Sequence, residues 1–212
     1  QRTSSSPYSF FGTGDEFNTA TVEQSSMGGI GVAFSHYKYL NFTNPAAYAN
    51  LRYTTYAFGL LNNNLTIKNA GAKQNSNSTS LSYVALAFPL GKNAGFSFGM
   101  QPISTVGYSL TNSTVVNDIT TKVSQFQGNG GVNRFYGSFG IKVYKGLSLG
   151  IETDFSFGNI ENSIVELNKD VDLHTKYREN TNVRGGSVKF GAQYEKELKN
   201  NLIVNAGATV KL

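Results

Sequence analysis

The stretch "GFSFGMQPISTVGYSL", residues 95–110, decides the fold class. Its apolar residues alternate with small and polar residues, which is the period of a β-strand with one apolar face. These apolar residues are Phe96, Phe98 and Met100, and later Val106, Tyr108 and Leu110. Pro102 interrupts the alternation, which returns after residue 105. Because proline cannot donate a hydrogen bond to a β-ladder, the sequence predicts a sheet edge, a strand start or a bulge at this point.

The same alternation recurs in six further stretches, which brings the predicted number of strands to seven. Their apolar positions are Tyr56, Phe58 and Leu60; Val84, Leu86 and Phe88; Phe135, Phe139, Ile141 and Val143; Leu147, Leu149, Ile151, Phe155 and Phe157; Val188, Phe190, Ala192 and Tyr194; and Leu202, Val204, Ala206, Val210 and Leu212. The opposite parity carries glycines and hydroxyls together with charged residues, namely Arg134, Lys142, Glu152, Asp154 and Lys189.

The connections between these strands are of two kinds. Residues 89–93, 144–148 and 196–201 read as tight polar turns, whereas residues 62–79, 111–132 and 159–182 read as long polar loops. Short turns on one side and long loops on the other are typical of an outer-membrane β-barrel with an apolar outer face. A soluble sandwich or a lipocalin-like barrel is the alternative, because both also alternate.

The composition narrows the class of protein. The chain has 212 residues, 39% of them hydrophobic, and no cysteine, so thiol chemistry and disulfides are excluded. No apolar run reaches the roughly 18 residues of a transmembrane helix. The net charge of +5 is scattered and does not favour nucleic-acid binding. No apolar-cored signal segment stands at the start, so Gln1 is expected either at the cleaved end of an exported chain or at an arbitrary boundary.

An odd number of strands does not close a bacterial barrel, because both ends of the wall return to the same side of the membrane. Unpaired backbone at an open edge costs several kcal/mol per group in lipid. We therefore expect the seven strands to be part of a larger wall.

Residues 25–59 carry a more specific pattern. A Met-Gly-x-x-Gly-x-Ala stretch begins at Met27, and an Asn-Pro-Ala triplet, residues 44–46, leads into the first strand. The segment resembles the start of the long-chain fatty acid outer-membrane transporter (FadL) family. The resemblance implies an all-β, transmembrane antiparallel β-barrel of 14 strands, of which seven are present. It also implies an N-terminal hatch over residues 1–50, followed by the barrel wall over residues 51–212.

The resemblance further implies a function and a location. The expected function is passive uptake of hydrophobic compounds through a plugged barrel in the bacterial outer membrane, with membrane lipids and a hydrophobic small molecule as partners. An accessory or structural barrel of a larger outer-membrane complex, for example of secretion machinery, is the alternative. The hatch and ligand residues would be Phe10, Phe11, Met27, Gly28, Gly29, Tyr37, Asn44, Pro45 and Ala46.

Members of that family have a kinked third strand, and Pro102 lies in the third predicted strand. The resemblance therefore implies a lateral opening lined by Gly99, Gln101, Pro102 and Ser104. A bulge that merely shapes the wall is an equal alternative.

No catalytic or metal-binding constellation is predicted, and neither an enzyme nor a cofactor is expected. The two histidines, His36 and His174, lie in different kinds of segment and do not suggest a pair. Glu152 and Asp154 share one face of a strand and are expected to pair with Arg134 and Lys142 on the neighbouring strand.

Overall fold

The computed structural model describes residues 6–69, 72–116, 119–168, 175–198 and 202–212. His174, one of the two histidines noted above, lies outside these ranges. The strands are β1 (Asp15–Glu16), β2 (Thr55–Asn69), β3 (Ala72–Leu90), β4 (Ala94–Val116), β5 (Ile119–Tyr144), β6 (Leu147–Asn168), β7 (Thr175–Glu197) and β8 (Ile203–Lys211).

The seven long strands form one antiparallel meander in the order β2-β3-β4-β5-β6-β7-β8, and the sheet is curled like half a barrel. The short strand β1 pairs with β4 outside this path. An all-β sheet of seven antiparallel strands was predicted, and it is confirmed. Each strand bonds to its sequence neighbour, because the hairpins bring consecutive apolar faces into register.

The two faces of the sheet follow the predicted parity except in β4 beyond Pro102. There Val106 and Tyr108, predicted on the apolar outward face, are buried at the inner face with Val132 and Ile160, because the extra residue Ile103 reverses the parity. The apolar parity points outward, where Tyr56, Phe155 and Val210 are exposed over 79%, 53% and 59% of their surface. The opposite parity is buried at the inner face, as at Arg134 and Glu152. We name the exposed outward residues the outer apolar band: Phe58, Val84, Phe96, Met100, Phe135, Ile141, Leu149, Ile151, Phe155, Phe157, Phe190 and Val210.

The prediction of three long loops is wrong. Residues 62–69 and 72–79 continue β2 and β3 as a paired hairpin, and β4 to β7 are extended in the same way. These extensions lack a continuous apolar face, so alternation could not reveal them. They stay extended because the register set by the apolar half of each hairpin continues along the ladder, and because threonine favours strands.

Two of the three predicted tight turns are confirmed, and the third, residues 196–201, includes residues 199–201, which lie outside the described residues. β3 ends at Leu90 and β4 begins at Ala94, while β5 ends at Tyr144 and β6 begins at Leu147. We call this the short-turn end of the sheet.

Helical structure in the described residues is confined to the first 50 positions. It comprises a 3₁₀ helix over Pro7–Phe10, the α-helix α1 over Val22–Ser26, and a second 3₁₀ helix over Pro45–Asn50. Among the described residues, none of these helices has the length and apolarity needed to cross a membrane. Gly28 and Gly29 end α1 with positive φ angles of 75° and 81°, which glycine adopts without steric cost.

The core lies between the second 3₁₀ helix and the inner face of the sheet. Its buried hydrophobic members are Leu40, Phe42, Tyr48, Leu51, Tyr83, Ala85, Ala87 and Tyr136. Phe42 packs edge-on against Tyr83 and Tyr136, with ring centroids 5.1 and 5.6 Å apart. Burial raises the pKa of the Tyr48 phenol well above its ordinary value, so this side chain stays neutral in the core.

A row of glycines makes room for this helix. Gly95, Gly140, Gly150 and Gly191 are successive register partners across β4, β5, β6 and β7. A Cβ on Gly140 would lie 2.6 Å from the carbonyl oxygen of Pro45, and one on each of the other three would overlap atoms of residues 44–48. This glycine row therefore lets the backbone of the 3₁₀ helix touch the backbone of the sheet.

Candidate functional site

The sheet splits between β3 and β4 at the level of Pro102. The ladder between β3 and β4 begins at the pair Leu90 and Ala94 and ends at the pair Val84 and Met100. Beyond this last pair, the two strands do not pair in the described residues. Beyond this level, the β2–β3 hairpin and the β4–β5 hairpin continue separately. We call the resulting gap the split seam.

Two bulges at the same level explain the split. In β3, Ser82 is an extra residue between the partners Tyr83 and Leu81, and in β4, Ile103 is an extra residue between Pro102 and Ser104. A bulge bends its strand and increases its twist, so two bulges facing one another turn the hairpins apart. The bulge that Pro102 predicted is therefore confirmed.

The chain partly closes the split seam with its own N-terminal residues. Asp15 pairs with Thr105, Glu16 pairs with Ser104, and the amide of Phe17 donates to the carbonyl of Ile103 at 2.8 Å. The side-chain oxygen of Ser9 accepts a hydrogen bond from the Gly107 amide at 3.2 Å. Residues 9–17 thus act as an added strand and cap on the edge of β4.

A cavity of about 470 Å³ remains in the split seam. Its lining combines apolar side chains with neutral amides and glycines. It is lined by Phe17, Ser80, Leu81, Met100, Pro102, Ser104, Thr105, Val106, Asn129, Gly130, Gly131, Asn133, Gly158 and Asn159.

The four residues predicted to line a lateral opening are divided by the structure. Pro102 and Ser104 line the cavity of the split seam. Gly99 lies below it in the intact wall, paired with Ala85. Gln101 points to the inner face and is 1% exposed.

A network of charged side chains fills the inner face beside the split seam. The Gln101 Oε1 atom accepts hydrogen bonds from Nε and Nη2 of Arg134 at 2.9 and 2.6 Å. Arg134 Nη1 also lies 3.9 Å from carboxylate oxygens of both Glu152 and Asp154. Lys189 donates to Glu152 at 2.7 Å, so opposite charges compensate one another in a buried environment.

The expected pairing of the two carboxylates is partly wrong. Arg134 contacts both, as predicted, but Lys142 does not take part in the described ion pairs. The second cation at Glu152 is Lys189, and the second at Asp154 is Lys211, 3.2 Å away. Lys142 lies at the short-turn end, too many residues from the carboxylates to reach them.

The network also holds the N-terminal segment in place. Lys189 Nζ donates to the backbone oxygen of Phe42 at 3.0 Å, so one ammonium group joins the sheet to this segment. Gln101 Nε2 and the Ser104 hydroxyl have no hydrogen-bond partner among the residues that the structure describes.

The Asn-Pro-Ala triplet forms the seat of the second 3₁₀ helix. Asn44 caps the helix by accepting from the Ala46 amide at 3.0 Å. Its amide group donates to the carbonyl of Val32 at 2.7 Å and to that of Ala192 in β7 at 3.0 Å. Pro45 starts the helix, where its missing N–H has no consequence.

The other predicted ligand residues are not brought together with the triplet. Phe10 packs against Phe11 and Tyr108 near the split seam, and Phe11 is 70% exposed. Met27 ends α1 and is exposed. Tyr37 stacks on His36 near the short-turn end.

Sequence reasoning missed the glycine row and the way it receives the helix. The available signal was glycine at the inward parity of four successive strands, because a strand interior normally disfavours glycine unless another backbone approaches closely.

Comparison with known proteins identifies the family of this chain. A family model described as BamG matches residues 1–212. The chain belongs to the BamG family. No curated protein and no solved structure matches the chain. Membership in the BamG family implies a location associated with the outer membrane and suggests association with other outer-membrane proteins.

The BamG match corrects two predictions. The assignment to the FadL family is wrong, and so is the function of a transport channel for hydrophobic compounds drawn from it. The physical reason is that the Asn-Pro-Ala triplet has a local structural role, because it caps a 3₁₀ helix and seats it on the sheet. That role specifies how an inner segment is attached and carries no information on a ligand.

Proposed function

We propose that this BamG-family chain is an accessory subunit of the outer-membrane BAM assembly complex, with a structural and not a catalytic role. The observation that carries the proposal is the family match over residues 1–212. It agrees with the alternative of the sequence analysis, which was an accessory or structural barrel of a larger outer-membrane complex.

We further propose that β2 to β8 cross the outer membrane. On β6 the outward apolar residues extend from Leu147 to Phe157, which is close to the roughly 9–11 residues that a tilted strand needs to span the bilayer. β5 has 26 residues, or about 85 Å at roughly 3.3 Å per residue, so its polar half would extend well beyond the lipid. With the short turns on the periplasmic side, the polar hairpins would face the exterior.

A further part of this proposal is that the sheet belongs to a larger, closed wall. The outer edges of β2 and β8 have no partner among the described strands. Exposed backbone groups at such edges are costly in lipid, and closure removes them.

We also propose that residues 1–50 act as a hatch. The described part of this segment covers the inner face, where the glycine row, the Asn44 seat and the Lys189 bond hold it. A bore packed in this way supports a structural role better than passage of a ligand.

The test uses the full chain in its native outer membrane, with an affinity tag at one end. After mild detergent extraction, the tagged chain is expected to co-purify with the central barrel subunit of the BAM complex. Depletion of the chain should lower the amount of folded outer-membrane proteins. A chain that purifies without BAM subunits even after cross-linking in cells, and whose depletion leaves those proteins unchanged, would exclude the proposed function.

A further inference from the structure

The N-terminal segment presents a compact group of aromatic side chains at the short-turn end of the sheet. The ring of His36 stacks on Tyr37 and on Tyr39, with centroids 4.3 and 4.5 Å apart. Tyr53 lies 6.1 Å from Tyr37. Tyr37, Tyr39 and Tyr53 remain 46%, 45% and 57% exposed. Together with Lys38 we call these residues the basal patch.

The basal patch is held by the backbone and is not a loose loop. The Arg52 amide donates to the carbonyl of Tyr37 at 2.9 Å, and the Thr55 hydroxyl donates to the carbonyl of Lys38 at 2.9 Å. The Lys38 amide donates to Nδ1 of His36 at 3.2 Å. Because the stacked rings are already fixed, little conformational entropy would be lost when a partner covers them.

The surroundings of the basal patch carry an excess of positive charge. The Lys38 ammonium lies over the rings of Tyr37 and Tyr53, 5.5 and 5.8 Å from their centroids. Five more cations stand at the same end of the sheet, and no carboxylate pairs with any of the six in the described residues. These five are Arg52, Lys92, Lys142, Lys145 and Lys196. The carboxylates at this end are Glu195 and Glu197 on β7.

The position of the basal patch favours a protein over a lipid surface as its partner. A crevice lined by Ser35, Asn50, Lys142 and Gly146 joins the N-terminal segment to the inward side of the turns. The outer apolar band, which would contact lipid, lies on the opposite face of the sheet. The basal patch therefore belongs to the segment that packs on the inner face, opposite the outer apolar band.

We propose that the basal patch is the docking surface for an acidic segment of a protein partner on the periplasmic side of the membrane. This inference rests on the proposed function and adds the place and the chemistry of the contact. Exposed tyrosines are enriched among residues that dominate binding energy, and the unpaired cations select a partner of opposite charge. Carboxylates of the partner would replace water around Lys38 and Arg52.

The test compares two double variants of the full chain in detergent. The basal variant is Tyr37→Ser with Lys38→Glu. The matched control is Tyr177→Ser with Lys176→Glu. These two residues form an exposed pair of the same composition on β7, at the end of the sheet opposite the short-turn end. The probe is the BAM complex purified from cells that lack this chain, and binding is measured by interferometry at two salt concentrations.

We expect the basal variant to bind at least about tenfold more weakly than the unsubstituted chain, and the control to bind within about twofold. Raised salt should weaken binding of the unsubstituted chain, because exposed charges are screened. Folding of each variant is checked by its heat-dependent electrophoretic mobility, and a Lys38→Arg variant should bind like the unsubstituted chain if the charge is what matters.

Equal binding of the basal variant and the unsubstituted chain would overturn the inference while leaving the proposed function intact. Binding that is insensitive to salt would also overturn it. Failure of the unsubstituted chain and the control to bind the complex would exclude the proposed function and the inference together. Vesicles of phosphatidylglycerol and phosphatidylethanolamine serve as a second probe, and loss of vesicle binding in the basal variant alone would identify a lipid surface instead of a protein.

Discussion

At the scale of single residues, the inner face holds the N-terminal segment through small side chains and buried charged side chains. Gly150 is small enough to let Ala46 approach the sheet, and Lys189 compensates Glu152 while bonding to the backbone of Phe42. Both residues act on the same N-terminal segment. Gly150 leaves space for it, and Lys189 binds it through a hydrogen bond.

Gly150→Ala should destabilise the seat of the second 3₁₀ helix. The added Cβ would overlap the backbone of Pro45 and Ala46, which must then shift. Overpacking of this kind costs about 1–3 kcal/mol. The control is Gly137→Ala in β5, where a Cβ has no neighbour within 4 Å. Denaturant unfolding in detergent, together with proteolysis of the N-terminal segment, measures the difference; equal stability of both variants would contradict it.

Lys189→Met should lower the free energy of unfolding more than a substitution by methionine at an exposed ion pair does. It leaves Glu152, which is 1% exposed, with Arg134 at 3.9 Å as its one remaining cation among the described residues, and breaking a buried pair costs about 3–5 kcal/mol. Arg178→Met breaks the half-exposed bond to Glu161, for which about 1 kcal/mol or less is expected. Both are compared by unfolding midpoints at equal salt. A similar loss in the two variants would show that the buried network adds no stability.

At the scale of elements, the strand pairs decide where the wall is continuous. β3 and β4 share an apolar outer face up to Val84 and Met100, and the bulges at Ser82 and Ile103 then separate them. The N-terminal strand β1 occupies the gap. An edge filled by two residues is a weak closure compared with the long ladders on either side of it.

The pairing of β1 with β4 can be tested by a disulfide, since the chain has no cysteine of its own. Glu16→Cys with Ser104→Cys places the two thiols on register partners, within the usual range for a disulfide. The control, Glu16→Cys with Ser109→Cys, moves the second thiol about 16 Å along the strand at roughly 3.3 Å per residue. Oxidation should produce a mobility shift on non-reducing gels in the first variant only. Equal cross-linking in both would mean that residues 15–17 are not fixed in the split seam.

At the scale of the whole molecule, the outer and inner faces have opposite characters. The outer apolar band is exposed, whereas the inner face combines a packed helix seat with a compensated charge network. This arrangement is the reverse of a soluble sandwich, in which the apolar parity would be buried between two sheets. It therefore supports the proposed membrane barrel over the soluble sandwich or lipocalin-like barrel that the sequence left open.

Ile151→Arg should reduce insertion into the outer membrane. This residue is 40% exposed within the outer apolar band, and an arginine near the bilayer midplane costs about 2–4 kcal/mol. Asn159→Arg is the matched control, because it lies on the same face of β6 beyond the apolar residues, where the cost falls to about 0–1 kcal/mol. The measurement is the fraction of folded chain in the membrane fraction. Equal insertion of both variants would contradict a lipid-facing band.

The sequence by itself determined the seven strands, the tight turns at residues 89–93 and 144–148, and the face of most apolar side chains, because a period of two fixes parity along an unbroken strand. It assigned Val106 and Tyr108 to the wrong face, since the extra residue Ile103 reverses the parity beyond it. It also predicted an irregularity at Pro102, since proline lacks the donor that a ladder needs, but it left a sheet edge, a strand start and a bulge open. It did not determine the polar extensions of the hairpins, whose backbone pairing is independent of apolar alternation. Nor could it give the partners of Glu152 and Asp154.

Only the tertiary structure decided that Gly95, Gly140, Gly150 and Gly191 form one row under the second 3₁₀ helix, that the sheet splits above Met100, and that β1 enters the gap. These features depend on strand register and on contacts between residues far apart in the chain. A single sequence records which residue types are present, but it does not record the pairing that brings them together.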